Sequence, residues 1–132
     1  MQTELSYLVK VSQHITNITL CLSISTNAPQ GGWDPKTSEI RPDLLDEIDQ
    51  AFSNVELALK DAGISDGWKS VFRVTSYHAR FDGDQERVFG KMVANLEKYM
   101  PGHAPIWTCV GVTALALPQM NVEIEVVAID GK

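Results

Sequence analysis

Histidine and cysteine are the side chains here best suited to moving protons or attacking an electrophile. His78 lies in the run Lys69 to Arg80 (KSVFRVTSYHAR). An imidazole there has the basicity for proton transfer near neutral pH, although a structural histidine held by a hydrogen bond is the preferred reading. Cys109 could act as a nucleophile, but no histidine or basic residue stands at a fixed spacing to lower its pKa. A buried, inert thiol is therefore expected. No two histidines or cysteines have the spacing of metal ligands, so no metal site is expected. Gly31-Gly32 alone does not make a phosphate-cradling loop. Trp33, in a Gly-Gly-Trp-Asp-Pro turn, is expected to anchor a loop, and His14 and His103 fall in loops.

The elements that must position these groups follow from periodicity. Ser6 to Ser12 alternates polar and apolar residues and reads as a half-buried strand. Asn17 to Ser25 is rich in β-branched residues and reads as a second strand. Thr26 to Ser38 is dense in Gly, Pro, Asn and Asp, as a long loop or hairpin tip is. Pro42 suits the first turn of a helix, and Leu45, Ile48, Phe52, Val55 and Leu59 form its apolar face. Asp43, Asp46, Glu47 and Asp49 load its first turns with negative charge, which the helix dipole favours, and Gly63 is placed to end it.

Lys69 to Arg80 is the clearest strand, although Val71, Val74, Ser76 and His78 do not all fall on one face of a regular strand. Asp82 or Asp84 would cap a second helix. That helix carries Val88, Met92, Leu96 and Tyr99 on its apolar face and is stopped by Met100-Pro101-Gly102. Ile106 to Thr113 and Met120 to Ile129 complete the set. The order β-β-α-β-α-β-β predicts an α+β domain whose sheet has both helices on one face. The other face needs a cover, and a second copy of the chain is the economical one.

Composition narrows the class. A chain of 132 residues fits a single domain spanning 1–132. No apolar run approaches the ~20 residues that span a bilayer, and Met1 to Leu5 lacks the pattern of a secretory signal. A cytoplasmic protein with no membrane partner is expected. The formal net charge of -6 argues against nucleic acid, whose binding rests on Lys and Arg neutralising phosphates. Cys21 and Cys109 have no paired spacing and read as reduced thiols.

Several stretches together resemble the Rid family, also called YjgF. They are Pro29-Gln30-Gly31-Gly32-Trp33-Asp34-Pro35-Lys36-Thr37, the helix Gln50 to Val55 closing at Ala62-Gly63, and Val74-Thr75-Ser76-Tyr77-His78. Pro105-Ile106-Trp107-Thr108-Cys109-Val110-Gly111-Val112 and Val122-Glu123-Ile124-Glu125-Val126-Val127-Ala128 follow in the family's order. The resemblance implies a chorismate-mutase-like fold, a homotrimer and small-molecule sites in the clefts between subunits. It also implies a deaminase-type hydrolysis of enamines or imines that needs no metal or organic cofactor.

At the position where archetypal members carry an arginine that clamps the substrate carboxylate, this sequence has Trp107. An indole cannot make the bidentate pair that a guanidinium makes. Trp-Thr-Cys-Val-Gly-Val with Thr-Ser-Tyr-His resembles the YjgH-like branch. By the same resemblance Glu123 is the residue that would position or activate water. Trp107, Tyr7, His78, Gln30 and Cys109 are the candidates for the ligand cleft. The family's loop start reads Ala28-Pro29-Gln30 here, and Pro29 has no N–H to offer a ligand.

Two readings follow. One is a hydrolase acting on a flatter, less acidic substrate than 2-aminoacrylate, with Glu123 placing water. The other is a non-catalytic binding or regulatory trimer that kept the clefts. A ribonuclease is argued against by the acidic charge and by the lack of a His-His or His-Lys pair.

Overall fold

The computed structural model describes residues 5–8, 21–26 and 29–130. The elements run β1 (Leu5–Leu8), β2 (Cys21–Thr26), β3 (Gln30–Gly31), α1 (Leu44–Asp61), β4 (Val71–His78), α2 (Gln85–Tyr99), β5 (Ile106–Gly111) and β6 (Val122–Asp130), with a 3-10 turn at Gly67–Ser70. The expected order is present, with the two-residue β3 added. Positions 9–12 and 17–20 of the two expected opening strands lie outside the described residues, as do His14 and Ala28.

The sheet is ordered β1-β2-β6-β4-β5, and β3 pairs with β6. Among the described residues only β4 and β5 pair in parallel. A parallel pair needs a crossover, and α2 supplies it. Both helices pack on one face. Ile48, Ala51, Phe52, Val55 and Leu59 of α1 and Val88 and Met92 of α2 bury against Val74, Val122, Ile124, Val126 and Ala128. Each Val, Ile, Leu, Phe or Met among them contributes about 1.5–3 kcal/mol when fully buried. The alternate residues Thr75, Tyr77, Glu123, Glu125 and Val127 are half-buried on the face that carries no helix.

The expectation that Val71, Val74, Ser76 and His78 would not all share one face of β4 is overturned. Val71, Val74, Ser76 and His78 are all buried, at 1% exposure or less. The register against β6 slips between Val71 and Arg73. That bulge adds one residue, so side chains three apart return to the same face.

The helix ends explain themselves locally. Asp43 is the N-cap of α1 rather than part of its first turn: its Oδ1 accepts from the N–H of Leu45 (2.9 Å) and of Asp46 (3.1 Å). Pro42 therefore precedes the cap. At the far end Gly63 takes φ +89°. Its N–H donates to Lys60 O, and Ile64 N–H donates to Leu59 O, both at 3.0 Å. This is the left-handed glycine stop with its apolar Leu59–Ile64 companion contact. Asp84, not Asp82, caps α2, accepting from Arg87 N at 2.9 Å; Asp82 instead pairs with Arg80.

Two polar residues on the buried face of α1 fix the strand ends. Glu47 is fully buried and accepts from Asn121 N (2.7 Å), Val122 N (3.2 Å) and Asn121 Nδ2 (2.8 Å). Those backbone groups are thereby held outside the ladder, and β6 starts at Val122 instead of Met120. Asn54 Nδ2 donates to Gly31 O (2.8 Å) and Trp33 O (2.7 Å). Between them Gly32 lies so near α1 that a Cβ would stand 2.2 Å from Glu47 O. Trp33 does anchor its loop, through its own carbonyl.

Candidate functional site

β5 is the edge strand beside β4, and its register decides what gathers there. Trp107 pairs with Val74 and Cys109 with Ser76. Paired residues of neighbouring strands share a face, so Trp107 and Cys109 join Val74, Ser76 and His78 on the helix side. At the sheet's edge α2 covers them incompletely, and both are half-buried.

Ser76 is the centre of this wall. The Trp107 indole Nε1–H donates to Ser76 Oγ at 2.9 Å, and His78 Nε2 lies 2.9 Å from the same oxygen. A run of rings joins the two: His78 stacks on Phe81 (centroids 5.3 Å), Phe81 meets Phe89 edge-on (5.7 Å), and Phe89 meets Trp107 edge-on (6.4 Å). Such pairs add roughly 0.5–1.5 kcal/mol each beyond their buried area.

The electrostatics make this wall neutral. Burial pushes His78 down to about 4, because a low-dielectric surrounding penalises the imidazolium. His78 is therefore uncharged at neutral pH and a weak base. Burial pushes the Cys109 thiol up, and a hydrogen bond from Ser76 offsets only part of that. Both shifts leave Cys109 as a thiol and His78 as a neutral imidazole near neutral pH.

The remaining candidates lie elsewhere. Glu123 is half-buried on the opposite face, across from Tyr77 of β4 and Gly31 of β3. Within one chain the sheet separates it from Trp107. Gln30 pairs with Ile124 at the start of β3. The backbone of Tyr7 pairs with Leu22 in β1. Two surface depressions lie off the Trp107 wall. One of about 260 Å³ includes Arg80, Leu117, Met120 and Asn121 in its lining, and one of about 200 Å³ includes Val93, Met100 and His103. Among the described residues no group of three or more His, Cys, Asp or Glu could hold a metal ion. None of their helices is long and apolar enough to cross a membrane.

Sequence reasoning missed Ser76, Glu47 and Asn54 as organising residues. A signal was present for two of them. Ser76 has the same strand parity as Val74 and His78, and Glu47 falls at helical spacing between Leu44 and Ala51.

Among the described residues an antiparallel-dominated sheet with one βαβ crossover carries two helices on one face, an α+β domain. The sequence profile of the family described as Endoribonuclease L-PSP matches residues 3–130, so the chain belongs to that family, which includes the Rid and YjgF proteins. A crystal structure of YyfB from Yersinia pestis, a Rid-family protein of unknown function, is 27% identical. It superposes with a TM-score of 0.68 over 80% of this chain and 77% of its own. The protein YjgH is 27% identical, with a TM-score of 0.67 over 83% and 78%. YjgF of E. coli, at 21% identity and a TM-score of 0.67 over 80% of each chain, shares the fold. No curated protein matches the sequence.

Proposed function

We propose that the chain is a homotrimer whose inter-subunit clefts take a small, flat, uncharged ligand, and that it hydrolyses an enamine or imine lacking a carboxylate. An enamine first tautomerises to the imine. Water then adds to the C=N carbon, the C–N bond breaks, and a carbonyl compound and ammonia or an amine leave. Glu123 holds the attacking water, and no cofactor is required. Such catalysis rests on positioning more than on a strong nucleophile.

The observation that carries this reading is the bond from Trp107 to Ser76. An indole has one donor, and here it is taken. At this position β5 meets a ligand with a ring and no charge. An anionic substrate would also meet Glu123 and Glu125. The trimer is supported by the sheet face without a helix and by the apolar rim of Ile106 (62% exposed), Phe89 and Val93.

A non-catalytic binding trimer is the second reading, favoured by the separation of Glu123 from Trp107 across the sheet. The test is a panel of imines generated in place by oxidases, from amino acids and from neutral amines. Wild type, Trp107→Arg and Glu123→Gln are compared. Turnover of neutral imines that is lost in Glu123→Gln, with amino-acid imines gained by Trp107→Arg, supports the hydrolase. Silence of every protein on every substrate leaves the binding reading. Sedimentation should give three times the 14.6 kDa chain; a monomer removes the clefts and both readings with them.

A further inference from the structure

We infer that Ser76 is a positioning residue of the ligand wall: held by His78, its hydroxyl takes the Trp107 indole N–H and turns its own proton on Cys109, fixing both groups that β5 offers. The inference rests on the reading that this wall faces the ligand.

A serine hydroxyl has one proton and two lone pairs. One lone pair accepts from Trp107 Nε1–H at 2.9 Å. His78 Nε2, also at 2.9 Å, either takes the hydroxyl proton or donates to the second lone pair. The other ring nitrogen decides between them. His78 Nδ1 is buried without a partner, and His78 is 1% exposed. If Nε2 accepted, Nδ1 would carry a buried, unpaired N–H. If Nε2 donates, Nδ1 is left with only an unpartnered lone pair, the less costly state. With Nε2–H donating, both lone pairs of Ser76 are filled, and its proton is left for Cys109. That direction agrees with the effect of Ser76 on the thiol, which favours the thiolate. Geometry places the two together: Ser76 and Cys109 are partners across β4 and β5, so their side chains stand side by side on one face.

Trp107 therefore cannot turn its N–H to a ligand, and Cys109 is held as an acceptor with its S–H free. The wall's selectivity for flat, uncharged molecules is set from a fully buried residue, Ser76, that itself touches no ligand.

The test uses the full chain. Nitrogen-15 NMR gives one indole signal for each of the three tryptophans, assigned with Trp107→Phe. In the wild type the Trp107 N–H is expected to exchange slowly although its ring is half-exposed. Ser76→Ala should shift that signal and speed its exchange about tenfold, the worth of one hydrogen bond. The Trp68 signal, whose N–H donates to Phe52 O, should stay in place, and Ser76→Thr should restore Trp107. Iodoacetamide labelling of Cys109 against pH, read peptide by peptide to separate Cys21, should have its midpoint raised by Ser76→Ala and by His78→Leu.

Fast Trp107 exchange in the wild type overturns the inference even if Ser76→Ala does not fold. So does an unmoved signal in a folded Ser76→Ala, or a Cys109 midpoint indifferent to both residues. A silent imine panel beside a slow Trp107 and a responsive Cys109 sinks the proposed hydrolase and supports the positioning role. An active panel beside unresponsive signals does the reverse.

Discussion

Replacing Glu47 by alanine should destabilise the protein by about 3–5 kcal/mol, nearly all of it through the segment that leads into β6. The carboxylate is fully buried and accepts from Asn121 N, Asn121 Nδ2 and Val122 N at 2.7, 2.8 and 3.2 Å. Bonds to a charged group contribute roughly 1.5–3 kcal/mol each, and buried donors left unpaired cost about 1–3 kcal/mol. The longest bond is weak, and half-buried Asn121 can recover some water, so the sum falls short of three full bonds.

Glu47→Gln keeps Oε1 for both backbone donors. It places an amide against Asn121 Nδ2, and an Asn121 flip that repairs this gives up the 3.1 Å bond to Gln119 O. A cost of about 1–2 kcal/mol is expected, since neutral bonds are roughly half as strong as charged ones. Urea unfolding followed by far-UV circular dichroism measures both. Several protein concentrations are needed, because self-association adds to apparent stability. If alanine costs under ~1 kcal/mol, or glutamine as much as alanine, Glu47 does not hold the β6 lead-in by the bonds described.

Other changes test the frame at separate points. Gly32→Ala should cost more than Gly63→Ala in the same urea experiment. The first drives a Cβ to 2.2 Å from a helix carbonyl, whereas the second meets open space at φ +89° and loses about 1 kcal/mol of conformational preference; the reverse order would count against the packing of Gly32 on α1. Asp84→Ala should lower stability by ~1 kcal/mol through loss of the α2 cap, and a neutral effect would mean that Arg87 N finds another partner.

The pH dependence of stability should carry the mark of His78. Its folded value is depressed to about 4 from the usual 6.5, so between those values the unfolded chain binds more protons. Stability is full above about 6.5 and falls as pH drops toward 4. His78→Gln should flatten that part of the stability curve, and an unchanged slope would show that His78 is charged or exposed in the folded state.

Much of the fold was legible in the sequence because it depends on local period and on terminators. The apolar spacing of Ile48, Phe52, Val55 and Leu59 marked α1, Gly63 marked its end, and the alternation through Val122, Ile124 and Val126 marked β6. The family could be read from stretches in fixed order. Local chemistry also singled out His78 and Cys109, and the family resemblance singled out Trp107.

What the sequence could not decide is which of those side chains meet. Strand register sets that, and it changes face with every residue. The pairing of Ser76 with Cys109 brought Trp107 and His78 to one hydroxyl, while the pairing of Tyr77 with Glu123 put the carboxylate on the other face. The bulge before Arg73 shifted Val71 to the buried side, against the simple alternation. Glu47 looked like a charge placed for the helix dipole, and only packing made it the partner of residues more than seventy positions away. Periodicity is a property of neighbours in the chain, whereas a site is made by neighbours in space.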